Sequence, residues 1–186
     1  MNKRPVATFA VLAITGIVTA LQVADARLLP LLERTPDAIA RHQWWRLVTP
    51  LFVHSGGWRQ ISFNFPAILI LGVLVEQIFG SALWLLIYFA SGVAGEIAGY
   101  AWQPTGGGAS VAGAGLLGAV AAWLLMIVRR PPAILGAGFI LIGAIVLTVM
   151  RDLHGSPVLF GACIAWPAMW YRRRNSVAAQ RLSSGR

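Results

Sequence analysis

At 186 residues, 58% of them hydrophobic and only 11% charged, the chain carries too little charge to cover a soluble domain of its size. Its formal net charge of +9 is gathered in short runs such as MNKR, RR and YRRR, not in a basic patch interleaved with exposed aromatics. That argues against a nucleic-acid partner and suits lipid headgroups, while the single cysteine, Cys163, excludes an internal disulfide.

Long apolar runs between short polar breaks predict six membrane-spanning helices, near residues 6–23, 60–79, 83–102, 110–128, 133–150 and 154–171. Stretches of about 18–20 residues cross about 30 Å of hydrocarbon at about 1.5 Å per residue, and backbone groups in lipid must pair within their own segment. The expected fold is therefore all-α, a polytopic bundle forming one domain over 1–174. A short polar tail over 175–186 reads as disordered.

The first span could be read as a signal peptide, because Ala24-Asp25-Ala26 has small-x-small spacing. Its apolar stretch exceeds the usual core of about 7–15 residues, so it is taken as a span. Segment 24–59 carries Arg27, Arg34, Arg41, Arg46 and Arg59, and LLPLL inside it suggests a short helix lying on the outer leaflet. Trp44, Trp45 and Trp58, with Trp102, Trp166 and Trp170, suit an interfacial belt.

With six spans, Lys3 and Arg4, Arg129 and Arg130, and Arg172 to Arg174 fall on one side, which the positive-inside rule makes cytoplasmic. Both termini are then cytoplasmic, as in a bacterial inner-membrane protein. The five arginines of 24–59 run against the rule.

This topology puts Ser110 at the outer end of span four and His154 at the outer end of span six. The two lie at similar depth, close enough for a serine–histidine pair if the helices pack. Helical spacing continues the Ser110 face through Gly113, Ala114 and Leu117, small enough to admit a neighbour, with Gly115 and Gly118 nearby. The His154 face continues through Pro157, Val158 and Gly161. A serine hydroxyl becomes nucleophilic when a base takes its proton, and histidine does so near neutral pH.

A set of motifs, in order along residues 43–170, resembles the rhomboid family of intramembrane serine proteases. QWWRLVTPLFVH (43–54) resembles the family's WR-containing first loop, and Gln60 with Asn64 its HxxxN region. EQIFGSALWLLIYFASG (76–92), GASVAGAGLLGA (108–119) and DLHGSPVLFG (152–161) match further motifs in turn. The resemblance implies a six-helix core and hydrolysis of transmembrane substrates near their outer ends, without cofactor or metal. Ser110 would be the nucleophile and His154 the general base, with no third acidic member required. The oxyanion would be held by the serine's own N–H, Asn64 and Gln60, beside Gly108.

Three positions depart from the family pattern. Val111 stands where glycine is usual and is expected to crowd the serine. Ala114 replaces an aromatic ring that would pack on the histidine, and Pro157 replaces a small residue in the first turn, where proline is tolerated. A rival reading is thus a catalytically inactive relative that binds transmembrane helices without cutting them.

Among other residues, His54 and Glu76 read as structural, His42 as solvated, and Asp152 as a helix cap that could also orient His154. Glu96, inside span three, reads as hydrogen-bonded within the bundle, although intramembrane acids are functional candidates. No H-E-x-x-H or Cys/His metal spacing occurs, and no aspartate lies mid-span to form an aspartyl dyad. A transporter would need more ionisable groups near the midplane than Glu96 alone.

Overall fold

The computed structural model describes the backbone of residues 4–184 and side chains as far as Arg174; Lys3, the last two residues and the later side chains lie outside the described residues. The helices are α1 (Val6–Ala24), α2 (Leu28–Leu32), α3 (Gly57–Phe79), α4 (Ser81–Trp102), α5 (Ser110–Trp123), α6 (Pro131–Val149) and α7 (Gly155–Ser184). Two 3₁₀ turns, Trp44–Leu47 and Thr49–Phe52, fold the first loop, and a π turn, Leu124–Val128, extends α5. All six expected spans are helices, and the surface helix expected in the first loop is the five-residue α2.

Among the described residues, five helices are long and apolar enough to cross a membrane: α1, α3, α4, α5 with its π turn, and α6. The sixth expected span, the start of α7, falls short of that measure because Trp166, Pro167, Trp170 and Tyr171 dilute its apolar run. Packing places it instead. Val158, Ala162, Ala165 and Met169 form a buried stripe on α7 at helical spacing. Beyond Arg174 the α7 backbone runs on to Ser184, where a disordered tail was expected. Asn175 to Leu182 contain neither glycine nor proline to stop a helix.

The centre of the bundle is α5, buried on nearly every side and packed most extensively on α7, then on α4 and α3. Its composition explains this: with only glycine, alanine and a few larger side chains, three neighbours can close on its backbone. A Cβ on Gly115 would strike Ser91 of α4, and one on Gly118 would strike the Val158 carbonyl of α7. Reciprocally, a Cβ on Gly161 would strike the Gly115 carbonyl. The expected Ser110 face does not make this contact. Ser110, Gly113, Ala114 and Leu117 line a cavity, and α7 docks further round the helix at Gly115 and Gly118.

At the opposite end from Ser110, Glu76 of α3 anchors α1. Its carboxylate accepts from Ala7 N (2.8 Å), Thr8 N (2.8 Å), Thr8 Oγ1 (2.7 Å) and Ser81 Oγ (2.7 Å). It thereby supplies partners for N–H groups of the first turn of α1, whose own N-cap offers no side-chain bond. At the other end of α1, Gln22 exchanges two hydrogen bonds with the His54 backbone (2.9 and 3.0 Å).

Gly118→Val is expected to lower the thermal midpoint in detergent by an amount matching an overpacking cost of about 1–3 kcal/mol. Gly136→Ala on α6, where an added Cβ meets nothing within 4 Å, is expected to leave it unchanged or raise it slightly. Differential scanning fluorimetry of the purified variants measures both.

Candidate active site

The glycine run before Ser110 forms a strap with a distinct reason for each glycine. Gly106 has φ of +145°, which L side chains rarely adopt. A Cβ on Gly107 would press on Val53 and the Pro50 carbonyl, and one on Gly108 on the Gln60 amide. The strap is pinned on both edges. Arg34 and Gly106 exchange backbone bonds of 2.8 and 3.1 Å. Ser55 donates to the Gly107 carbonyl through its N–H (3.2 Å) and Oγ (2.9 Å), and accepts from Gly107 N (3.1 Å).

Ser110 follows as the first residue of α5, so its N–H has no intrahelical partner and lies at the positive end of the helix dipole. Its Oγ lies 3.1 Å from His154 Nε2. The other ring nitrogen, Nδ1, lies 2.8 Å from Asp152 Oδ1, which also accepts from His154 N at 2.8 Å. An ionised carboxylate only accepts, so Nδ1 carries the proton and Nε2 presents a lone pair to the serine hydroxyl. Burial works to raise the Asp152 carboxyl, but the bonds from the His154 backbone and ring hold it below the usual aspartate value.

The end of α6 sets Asp152 in place. Arg151 has φ of +60°, with bonds from Arg151 N to Thr148 O (3.0 Å) and from Asp152 N to Leu147 O (2.8 Å). These are the two bonds of a Schellman cap, with arginine at the left-handed position where glycine is usual. The Asp152 side chain accepts from the His154 backbone ahead of α7, as a cap does, and also meets the histidine ring.

Asn64 is buried, and its Nδ2 has no hydrogen-bond partner among the described residues. It lines, with Gln60, Gly108, Ser110 and His154, a cavity of about 740 Å³. Gln60 is more committed: its Oε1 accepts from Gly56 N (2.8 Å) and its Nε2 donates to Gly107 O (3.2 Å), leaving one N–H. Val111 lines the same cavity as Ser110. Its side chain packs against Gly95 of α4, which lacks the Cβ that would collide with it, and Pro157 fits the same hollow. Ala114 lines the cavity.

Sequence reasoning missed Arg34. Fully buried in the first loop, it pairs with Glu96 of α4 and donates to the Gln103 carbonyl through Nη2 (2.7 Å) and Nε (3.2 Å). A Cβ on Gly99 would strike its guanidinium. The signal available was an acid deep within span three, which needs a cation, but the sequence offers five arginines in the loop and no means to choose. Arg46 of the WR motif is also buried, donating to Pro30 O (2.9 Å) and Glu33 O (2.7 Å). His42 is exposed, as expected.

The family model for the rhomboid domain matches residues 41–175. Rhomboid protease GluP of Bacillus subtilis (strain 168) is 43% identical over 83 residues, 44% of this chain and 16% of that protein. Rhomboid-like protease 3 of Toxoplasma gondii is 36% identical over 87 residues, 46% of this chain and 33% of the relative. RHOMBOID-like protein 9, chloroplastic, of Arabidopsis thaliana is 39% identical over 101 residues, 52% and 22% respectively. The matches thus span a third or less of each relative's own length.

His54 reads as structural in sequence and is buried here, stacked on Phe65 at 5.8 Å with Nδ1 3.2 Å from Thr19 Oγ1. Burial pulls its pKa down to about 4 from 6.5. Between those values the unfolded chain takes up a proton that the folded one refuses, so stability falls as pH drops from about 6.5 to about 4. His54→Gln is expected to flatten that slope, read as thermal midpoint against pH beside the parent protein.

Proposed function

The chain belongs to the rhomboid family, and on that premise we propose that it is an intramembrane serine endopeptidase acting on transmembrane helices near the outer membrane face. The observation that carries the reading is the 3.1 Å contact between Ser110 Oγ and His154 Nε2. Two groups 44 residues apart meet there, in the lining of a cavity of about 740 Å³.

In this mechanism His154 takes the hydroxyl proton at Nε2 as Ser110 Oγ attacks the scissile carbonyl. The new oxyanion is received by the Ser110 N–H, by Asn64 Nδ2 and by the remaining N–H of Gln60. His154 then returns the proton to the leaving amine, and water entering from the outer surface hydrolyses the acyl-enzyme by the same steps in turn. Gly108 lets Gln60 approach Ser110 closely. No cofactor takes part, and the partners are single membrane-spanning segments within the bilayer.

A bacterial inner membrane, with both termini cytoplasmic, fits the basic clusters. The arginines that contradict this orientation are mostly engaged within the protein: Arg34 and Arg46 are buried, and Arg27 and Arg41 pair with Asp25 and Asp37. The rival, an inactive relative that only binds transmembrane helices, rested on Val111 and Ala114. The seat of Val111 against Gly95 and the bond from Asp152 to the histidine ring support the protease over it.

A serine-directed fluorophosphonate probe tests the reading on detergent-solubilised protein. The parent is expected to label, and Ser110→Ala and His154→Ala to lose labelling. Asn64→Ala is expected to slow it about 10²-fold, the usual cost of removing one oxyanion donor. A folded parent that does not label would favour the helix binder.

A further inference from the structure

The family resemblance implies a two-residue mechanism, but three groups stand in line here. His154 lies between Ser110 Oγ at 3.1 Å from Nε2 and Asp152 Oδ1 at 2.8 Å from Nδ1. Asp152 sits two residues before His154, so the contact could be a by-product of capping the start of α7. Two observations argue for more. The carboxylate meets the ring at the nitrogen remote from the serine, the one whose protonation fixes the useful tautomer. And Asp152 is held by the Schellman bonds that end α6, with a non-glycine residue kept at positive φ to do so.

We propose that Asp152 is a positioning residue that completes a Ser110–His154–Asp152 triad and does the work of the aromatic ring absent at Ala114. It holds the imidazole in the tautomer and rotamer that face Ser110, and its charge stabilises the imidazolium formed when the hydroxyl proton moves to Nε2. No proton moves to Asp152. The proposal rests on the protease reading for its catalytic consequence, while the state of the ring is independent of it.

The size of the effect follows from exposure. Removing the charge of a fully buried triad carboxylate in soluble serine proteases costs about 10⁴ in turnover. The His154 and Asp152 side chains are 40% and 37% exposed, so water screens much of their attraction. A loss of about 10-fold to 10²-fold is expected. The other charged groups lining the cavity are Arg34 and Glu96, paired with each other, and Arg59 at the start of α3; Arg151 precedes Asp152 in the loop. None of these is the carboxylate bonded to the ring.

Asp152→Asn is the informative variant, because asparagine caps a helix as well as aspartate does. It preserves the cap and removes the charge. Two readouts are needed in detergent: fluorophosphonate labelling rate against pH, and imidazole ¹⁵N shifts against pH, the His154 signal being identified by its loss in His154→Ala. The chain has only three histidines, so the spectrum is tractable.

The expected result is that Asp152→Asn labels about 10-fold to 10²-fold more slowly, with its half-maximal rate moved to lower pH. The His154 ¹⁵N titration should move the same way and lose its Nδ1-protonated signature, and Asp152→Glu should recover part of both. Unchanged pH midpoints in Asp152→Asn, with the ring tautomer intact, would overturn the proposal. If the parent fails to label but its ¹⁵N spectrum still depends on Asp152, the protease reading fails while the positioning of His154 stands.

Discussion

Everything at the site depends on the near-contact of two helix backbones. On α5, Gly115 and Gly118 present bare peptide to α7, and Gly161 of α7 answers with its own. In lipid, where apolar side chains gain little by leaving one hydrocarbon for another, dispersion between closely packed backbones becomes a principal source of association. The seam fixes rotation and axial position together, because an added Cβ on Gly118 or Gly161 would collide with a carbonyl of the other helix. With the two helices so locked, the residues at their adjoining ends are locked as well, and those residues are Ser110 and His154.

A second constraint is electrostatic. Arg34 and Glu96 are both buried, and the mutual attraction of such a pair offsets a large desolvation cost. Breaking it by removing one partner typically costs about 3–5 kcal/mol, because the other charge is stranded. What the pair secures is the place of Arg34, whose backbone is bonded to Gly106 in the strap leading to Ser110. The first loop, otherwise an irregular segment, is thus tied both to the membrane helix α4 and to the strap that leads into Ser110.

Much of this was legible in the sequence, for a physical reason. Apolar runs in lipid must be helices, so the breaks at Gly80, at Arg129-Arg130-Pro131 and before Gly155 mark the helix ends closely. Ser110 and His154 stand out because each opens a span and each sits in an ordered series of motifs. That Val111 has a seat against Gly95 could not be read from the sequence, because the two stand on different helices. Arg34 could not be chosen among five loop arginines, since its partner lies 62 positions away. The bond from Asp152 to the ring depends on the left-handed turn at Arg151, and no glycine in the sequence announces it. Polarity alone does not mark disorder, and the α7 backbone continues past Arg174 as a helix.

The most direct measurement of the account's central claim is cleavage within a bilayer. The purified protein, reconstituted in liposomes with a panel of single-span peptides, would be followed by mass spectrometry. The expected result is peptide-bond hydrolysis confined to the outer end of susceptible spans and absent in Ser110→Ala. A folded protein that captures the peptides yet returns them all intact, with Ser110→Ala behaving identically, would contradict it.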